Sequence, residues 1–144
     1  MRTRTRQYTR SGTPRPRGAR AADRRAIAAI ATASATAVAV LDVREGLGLS
    51  RSKFARLSGY SERAVAAWEG GRPQSASTHQ RMTELARLKD ALREVVGGDA
   101  DQLGRWFDTP NPAFDGLKPL EVAERGHADR LWRMVYHLQA GEPV

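Results

Sequence analysis

Cysteine is absent from this 144-residue chain, which rules out disulfides and thiolate-held metals and fits a reducing compartment. Aromatic residues are scarce at 6%, so the core that an apolar share of 40% can build must be mostly aliphatic. Long apolar runs are lacking too. The longest uncharged stretch, Ala26 to Leu41, has 16 residues, is rich in Ala and is interrupted by Thr and Ser, whereas a membrane span needs roughly 20 apolar residues. Arg24-Arg25 ahead of that stretch has the layout of a secretory signal, and the Arg- and Thr-rich start has that of a transit peptide. The motif that follows directly argues against both, and a cytoplasmic protein is expected.

No catalytic or ligand constellation is assembled in the sequence. His79, His127 and His137 are isolated, with no second ligand at metal spacing. Glu121 and Glu124 stand one helical step apart with no basic or metal partner evident. Gly46, Gly48, Gly70 and Gly71 fall at helix ends and form no phosphate-cradling loop, and no serine sits in a nucleophile setting. The expectation is therefore no catalytic residue, no metal, no cofactor and no enzyme activity.

What is present is charge, unevenly placed. Residues 1–20 carry seven arginines and no acid, residues 44–73 hold six basic and three acidic groups, and residues 99–144 reverse the sign with five basic and eight acidic groups. A polyanion suits the first half, and a different partner suits the last third. Residues 1–20, with Pro14 and Pro16 and no apolar periodicity, read as a disordered basic arm. In Ala21 to Glu45, the residues Ile27, Ile30, Ser34, Val38 and Leu41 share one helical stripe, while Thr36 to Val43 also fits strand alternation. Alanine content favours helix, broken near Thr32 to Thr36. Met82, Leu85, Leu88, Leu92 and Val95 recur at spacings of three and four, which predicts an amphipathic helix over Ser77 to Val96, closed by Gly97-Gly98. Shorter helices are expected near Asp101 to Phe107, from Pro119 to Gly126 and from His127 to Ala140.

The most informative segment runs from Arg51 to Gly70. Ser50 can cap a first helix, Ala55 is small where a second helix must cross closely, and Gly59 supplies the positive φ of a tight turn. Ser61 can cap the second helix, and Phe54, Leu57, Val65 and Trp68 can join the two. Those offsets describe a helix-turn-helix. The outer N-terminal face of the second helix, with Ser61, Glu62, Arg63, Ala66 and Ala67, would enter the major groove of double-stranded DNA and contact bases. Arg63 can take a guanine through O6 and N7, Glu62 can accept from cytosine N4, and the alanines can approach a thymine methyl. Arg51, Ser52, Lys53 and Arg72 are placed for phosphates, which give affinity without sequence information.

The run Leu49-Ser50, Phe54-Ala55, Gly59-Tyr60-Ser61, Val65 and Trp68-Glu69-Gly70-Gly71-Arg72 resembles the phage-repressor-like Xre family. The resemblance implies a helical bundle, a homodimer and a palindromic operator. Trp106 to Leu120, with its Thr109-Pro110-Asn111-Pro112 turn and its Gly116-Leu117-Lys118-Pro119-Leu120 helix start, is similar to the toxin-binding domain of Xre/MbcA/ParS antitoxins. That likeness implies an antitoxin that sequesters a RES-domain toxin and represses its own operon. Within residues 99–144, Leu103, Trp106, Phe107, Phe114, Leu120, Leu131, Trp132, Val135 and Leu138 are the expected anchors. Toxin contact is placed on the last helix and tail, at Arg130, Arg133, His137 and Glu142. The expected fold is all-α, a helix-turn-helix DNA-binding bundle followed by a small helical toxin-binding domain. Its divisions are 1–20 (arm), 21–75 (DNA binding), 76–98 (connecting helix) and 99–144 (toxin binding). A stand-alone Xre-type regulator, whose C-terminal unit serves dimerisation or signal sensing, is the alternative reading.

Overall fold

The computed structural model describes residues 17–142, with the side chains of residues 17–20 and 32–38 outside the description. Among the described residues the chain is all-α. The helices are α1 (Arg17–Gly46), α2 (Arg51–Ser58), α3 (Glu62–Glu69), α4 (Ala76–Val96), α5 (Ala100–Phe107), α6 (Pro119–Glu124) and α7 (Ala128–Gln139), with a 3-10 turn at Pro112–Phe114 before α6. The basic arm expected over residues 1–20 lies outside the described residues as far as residue 16, and α1 takes in residues 17–20.

Alanine makes α1 a single helix of 30 residues, about 45 Å long at 1.5 Å per residue. The break expected near Thr32 to Thr36 does not occur, because neither residue is a helix breaker and alanines surround both. The stripe of Ile27, Ile30 and Leu41 is not the packed face either. Val40, Val43 and Leu47 are buried, whereas Ile27 and Ile30 are 65% and 67% exposed. Among the described residues the buried side chains of α1 fall in its C-terminal part, and α1 packs on α3 and α4.

The later helices begin and end where local chemistry dictates. Ser75 Oγ accepts from the Thr78 amide at the start of α4, and Asp99 Oδ1 accepts from the Gln102 amide at the start of α5. Met82, Leu85, Leu88 and Leu92 of α4 are all buried, as their spacing predicts. They form the spine of one continuous hydrophobic cluster, which runs from Val40 through Phe54, Val65 and Trp68 to Phe107, Phe114, Leu120, Leu131 and Val135. Leu138, expected as an anchor, is 40% exposed instead; it lies in the last turn of α7, where Gln139 still reaches Glu94 of α4.

A glycine pair ties the turn after α1 to α5. Gly48 has φ +67°, and a Cβ there would stand 1.9 Å from the Ala100 carbonyl oxygen. A Cβ on Gly104 would stand 2.4 Å from the Gly48 carbonyl oxygen. Only two glycines permit this backbone approach.

Candidate functional site

The α2–α3 hairpin is built by its caps. Ser50 Oγ accepts from the Lys53 amide at 3.3 Å, Gly59 ends α2 in the left-handed region at φ 79°, and Ser61 Oγ accepts from the Ala64 amide at 3.1 Å. Phe54, Leu57, Val65 and Trp68 are buried, and the Tyr60 ring meets Trp68 edge-on with centroids 4.9 Å apart. This fixes the start of α3 outward. Ser61, Glu62 and Arg63 are exposed, and Ala66 and Ala67 are half-buried one turn further on.

The basic residues of α2 are not left free. Glu69, at the end of α3, accepts from Arg44 Nε and from Arg51 Nε (2.6 Å for the latter), and its side chain is 4% exposed. Burial alone pushes the Glu69 carboxyl up, but the hydrogen bonds and charges of Arg44 and Arg51 together hold the group below the usual carboxylate range. Lys53 Nζ pairs with Asp108 Oδ2 beyond the end of α5. Arg56 Nη2 donates to Glu124 Oε2 of α6 at 2.7 Å. The hydrogen bond from Lys53 lowers Asp108, that from Arg56 lowers Glu124, and the same bond raises Arg56. Glu124 thus has the basic partner that its own helix does not supply, and Glu121 accepts from the Lys118 amide at the start of α6. Ser52 and Arg72 are exposed. Among the described residues, Arg63 and Arg72 make no ion pair and are the cations this region turns to solvent.

A second surface forms at the C-terminal end. Asn111 Oδ1 accepts from the Ala113 amide, and the Asn111 amide donates to the Leu117 carbonyl, which closes the Pro/Asn turn. Asp115 and Gly116 take the left-handed conformations that redirect the chain into α6. Phe114 is packed edge-on against Trp106, and the Arg130 guanidinium lies 5.7 Å from the Phe114 ring centre while donating to Asp115 at 2.9 Å. Arg130, Arg133 and His137 line one cleft of about 180 Å³ with Ala113, Phe114 and Met134. The fourth expected residue, Glu142, meets His137 Nδ1 at 2.9 Å, so all four gather on one side of α7. Arg133 also holds Asp129 at 2.7 Å.

Sequence reasoning missed Tyr136. It is 62% exposed and stacked on Trp132, with centroids 5.9 Å apart. Trp132 and Tyr136 are four residues apart, and neither falls on the buried stripe of Leu131, Met134 and Val135, a signal the sequence did carry. The two rings make an aromatic patch on α7. Among the described residues there is no cluster of groups able to hold a metal and no buried polar side-chain atom without a partner. Among the described residues no helix is long and apolar enough to cross a membrane.

A capped hairpin and a turn-anchored helical unit thus share one all-α body. Residues 91–141 match the antitoxin Xre/MbcA/ParS C-terminal toxin-binding domain. Over 99 residues the chain is 32% identical to the mycobacterial cidal antitoxin MbcA of Mycobacterium tuberculosis, and to that of Mycobacterium bovis, an alignment covering 67% of this chain and 85% of the relative. A chain in the crystal structure of the M. tuberculosis MbcT–MbcA toxin–antitoxin complex is similar in fold, with a TM-score of 0.58 and 32% identity over 75% of this chain and 96% of that one. The protein belongs to the Xre/MbcA/ParS antitoxin family.

Proposed function

We propose that this antitoxin neutralises a cognate protein toxin by direct contact through its C-terminal unit and represses its own operon through the α2–α3 helix-turn-helix. The observation that carries the reading is one core shared by an outward-facing, capped α3 and a C-terminal unit that matches a toxin-binding family. The relative in the solved complex is half of a toxin–antitoxin pair, which supports a protein partner here. The family resemblance points to a RES-like toxin. In this reading the start of α3 enters the major groove, with Ser61, Glu62, Arg63, Ala66 and Ala67 towards the bases and Ser52 and Arg72 towards phosphates. Arg51 and Lys53, also expected at phosphates, are already paired with Glu69 and Asp108.

The protein acts as a cytoplasmic homodimer on a palindromic operator, without enzymatic activity of its own. The functional divisions remain residues 1–20, 21–75, 76–98 and 99–144. Toxin contact uses the Arg130, Arg133 and His137 cleft with Glu142, extended by Tyr136 and Trp132. The test is growth of a bacterial host expressing the adjacent gene alone, with this chain, and with an Arg133→Glu/Tyr136→Ala variant. Arrest by the neighbour, rescue by the parent chain and loss of rescue by the soluble variant support the reading. A harmless neighbour, or arrest that persists with the parent chain, overturns it.

A stand-alone regulator is the second reading, and one feature favours it. An apolar groove of about 650 Å³ lies between α1 and α4, lined in part by Val43, His79, Met82 and Ala86. A groove of that size can take a small apolar ligand.

A further inference from the structure

The match to the toxin-binding family begins at residue 91, inside the last turns of α4. The end of α4 therefore belongs with the C-terminal helices, and between them lies a cleft of about 330 Å³. Val95 and Val96 line it from α4, Trp106 from α5, Ala113 from the 3-10 turn, and Met134 and Leu138 from α7. All of them fall within residues 91–141. The apolar stripe of α4 runs on to Val95, yet Val95, Val96 and Trp106 are only half-buried and Leu138 is exposed. Next to the cleft, Gln139 donates to Glu94 at 3.3 Å and ties α7 to α4.

The lining says what the cleft can take. None of its described lining residues is charged, so it offers no purchase to a phosphate backbone or an ionic ligand. Its volume is at the small end for ligand pockets, which run from about 300 to 1,000 Å³, and suits an inserted side chain. The Trp106 ring is set edge-on against Phe107 and Phe114, with centroids 5.1 and 6.4 Å away, while Met134 brings an adaptable thioether. Asn111 adds one polar group. Its Oδ1 accepts from the Ala113 amide at 3.0 Å, and its NH2 has no protein partner among the described residues. An apolar cleft with a free donor at its lining suits an apolar side chain presented by a peptide whose carbonyl can accept. The neighbouring cleft of Arg130, Arg133 and His137 shares Ala113 and Met134 with this one, so one partner can cover both. Those three side chains are already paired with Asp115, Asp129 and Glu142, which makes them a polar rim and leaves the apolar cleft as the source of affinity.

We infer that the cleft between the ends of α4 and α7 is the anchor pocket of the toxin interface, taking an aliphatic or aromatic side chain of the toxin while the Asn111 NH2 donates to a toxin backbone carbonyl. The inference rests on the toxin-contact reading above and moves its energetic centre from the charged side of α7 to this cleft.

The test measures binding of the purified product of the adjacent gene to the full-length chain and its variants. Leu138→Asp puts a charge at the cleft and Ala113→Leu narrows it. Each weakens binding at least tenfold, with helicity by circular dichroism retained, and Leu138→Met binds as the parent does. A photoreactive p-benzoylphenylalanine in place of Leu138, in an otherwise parental chain, reports the occupant without relying on a loss. Irradiation of the complex links it to an apolar residue of the neighbour's product. A link to a charged segment, or an equally efficient link to residues 143–144 or to a second copy when the neighbour's product is absent, overturns the inference. Cleft variants that bind as the parent does, beside an Arg133→Glu/Tyr136→Ala variant that does not bind, overturn the cleft and leave the toxin-contact reading standing. A parent chain that does not bind overturns both.

Discussion

Lys53 is held by an acid from the other end of the chain, and releasing it should tighten DNA binding. The perturbation is Asp108→Asn, which keeps size and polarity and removes the charge paired with Lys53 Nζ. Both side chains are more than a third exposed, at 39% and 37%, so the pair contributes about 0.2–1 kcal/mol, the range for exposed pairs. Competition of that size translates into binding about 1.5- to 5-fold tighter once Lys53 is free to meet a phosphate. One added phosphate contact also steepens the dependence of log K on log salt by about 0.9. Phosphate contacts are independent of sequence, so fluorescence anisotropy with any labelled duplex at several salt concentrations suffices. Removing an anion near DNA raises affinity by itself, and the double variant Lys53→Ala/Asp108→Asn separates that background from the specific effect. Tightening of the same size in the Lys53→Ala background, or an unchanged salt slope, refutes the idea that Asp108 occupies a phosphate-binding lysine.

Glu69→Gln leaves Arg44, whose side chain is 15% exposed, without its counter-charge. Breaking a buried pair from one side costs about 3–5 kcal/mol, so thermal melting should fall by roughly 10–20 °C; a shift under about 2 °C would refute the role given to this carboxylate. Gly104→Ala forces a methyl against the Gly48 carbonyl at 2.4 Å and should cost about 1–3 kcal/mol or more, read by urea unfolding against an exposed-site control such as Ser77→Ala. Arg63→Ala should lose more affinity for operator than for random duplex, about 1–3 kcal/mol of discrimination, and equal losses on both would remove Arg63 from base reading. Glu69 and Asp108 have folded-state values below the ordinary carboxylate range. Their stabilisation is fully present above an unfolded pKa near ~4 and is lost as pH falls through the lowered folded values. Melting temperature should be flat in their contribution from pH 7 to about 5 and fall below about 4, and in Glu69→Gln the acid limb should be shallower.

Much of the fold was legible because it is decided locally. Ser50, Gly59 and Ser61 do their work within four residues of themselves, so the hairpin could be read from offsets alone. The spacing of Met82, Leu85, Leu88 and Leu92 foretold α4 within a residue or two, and the Pro/Asn turn announced itself by composition. What stayed hidden depends on partners far along the chain. Which side of α1 is buried is decided by where α3 and α4 lie, and the sequence showed only that Ile27, Ile30 and Leu41 share a stripe. The Lys53–Asp108 pair joins residues 55 apart, the Gly48–Gly104 contact has a similar span, and neither has a periodic signature. Charge counting by segment was accurate but silent on pairing. It assigned the basic excess of residues 44–73 to a polyanion, whereas acids of the last third already engage Lys53 and Arg56.

That pairing bears on how the two ends of an antitoxin communicate. α2 rests on α6, Lys53 and Arg56 reach Asp108 and Glu124, and the glycine contact joins the turn after α1 to α5. One hydrophobic cluster runs beneath all of it. If a toxin docks on α7 as proposed, it sits on a body continuous with the hairpin, and any shift it imposes on α5 or α6 changes how strongly α2 is held. Coupling between two sites is reciprocal in free energy. If toxin binding loosens the Lys53 and Arg56 pairs, DNA must in turn favour the toxin-bound protein; if it tightens them, DNA must disfavour it. The sign can be read from a single comparison, the affinity of a duplex for the antitoxin alone and for its toxin complex. Asp108→Asn/Glu124→Gln should shrink the difference whichever way it runs, since both carboxylates that carry the coupling are then gone. A difference that survives the double substitution unchanged places the coupling in the packed core and not in these ion pairs.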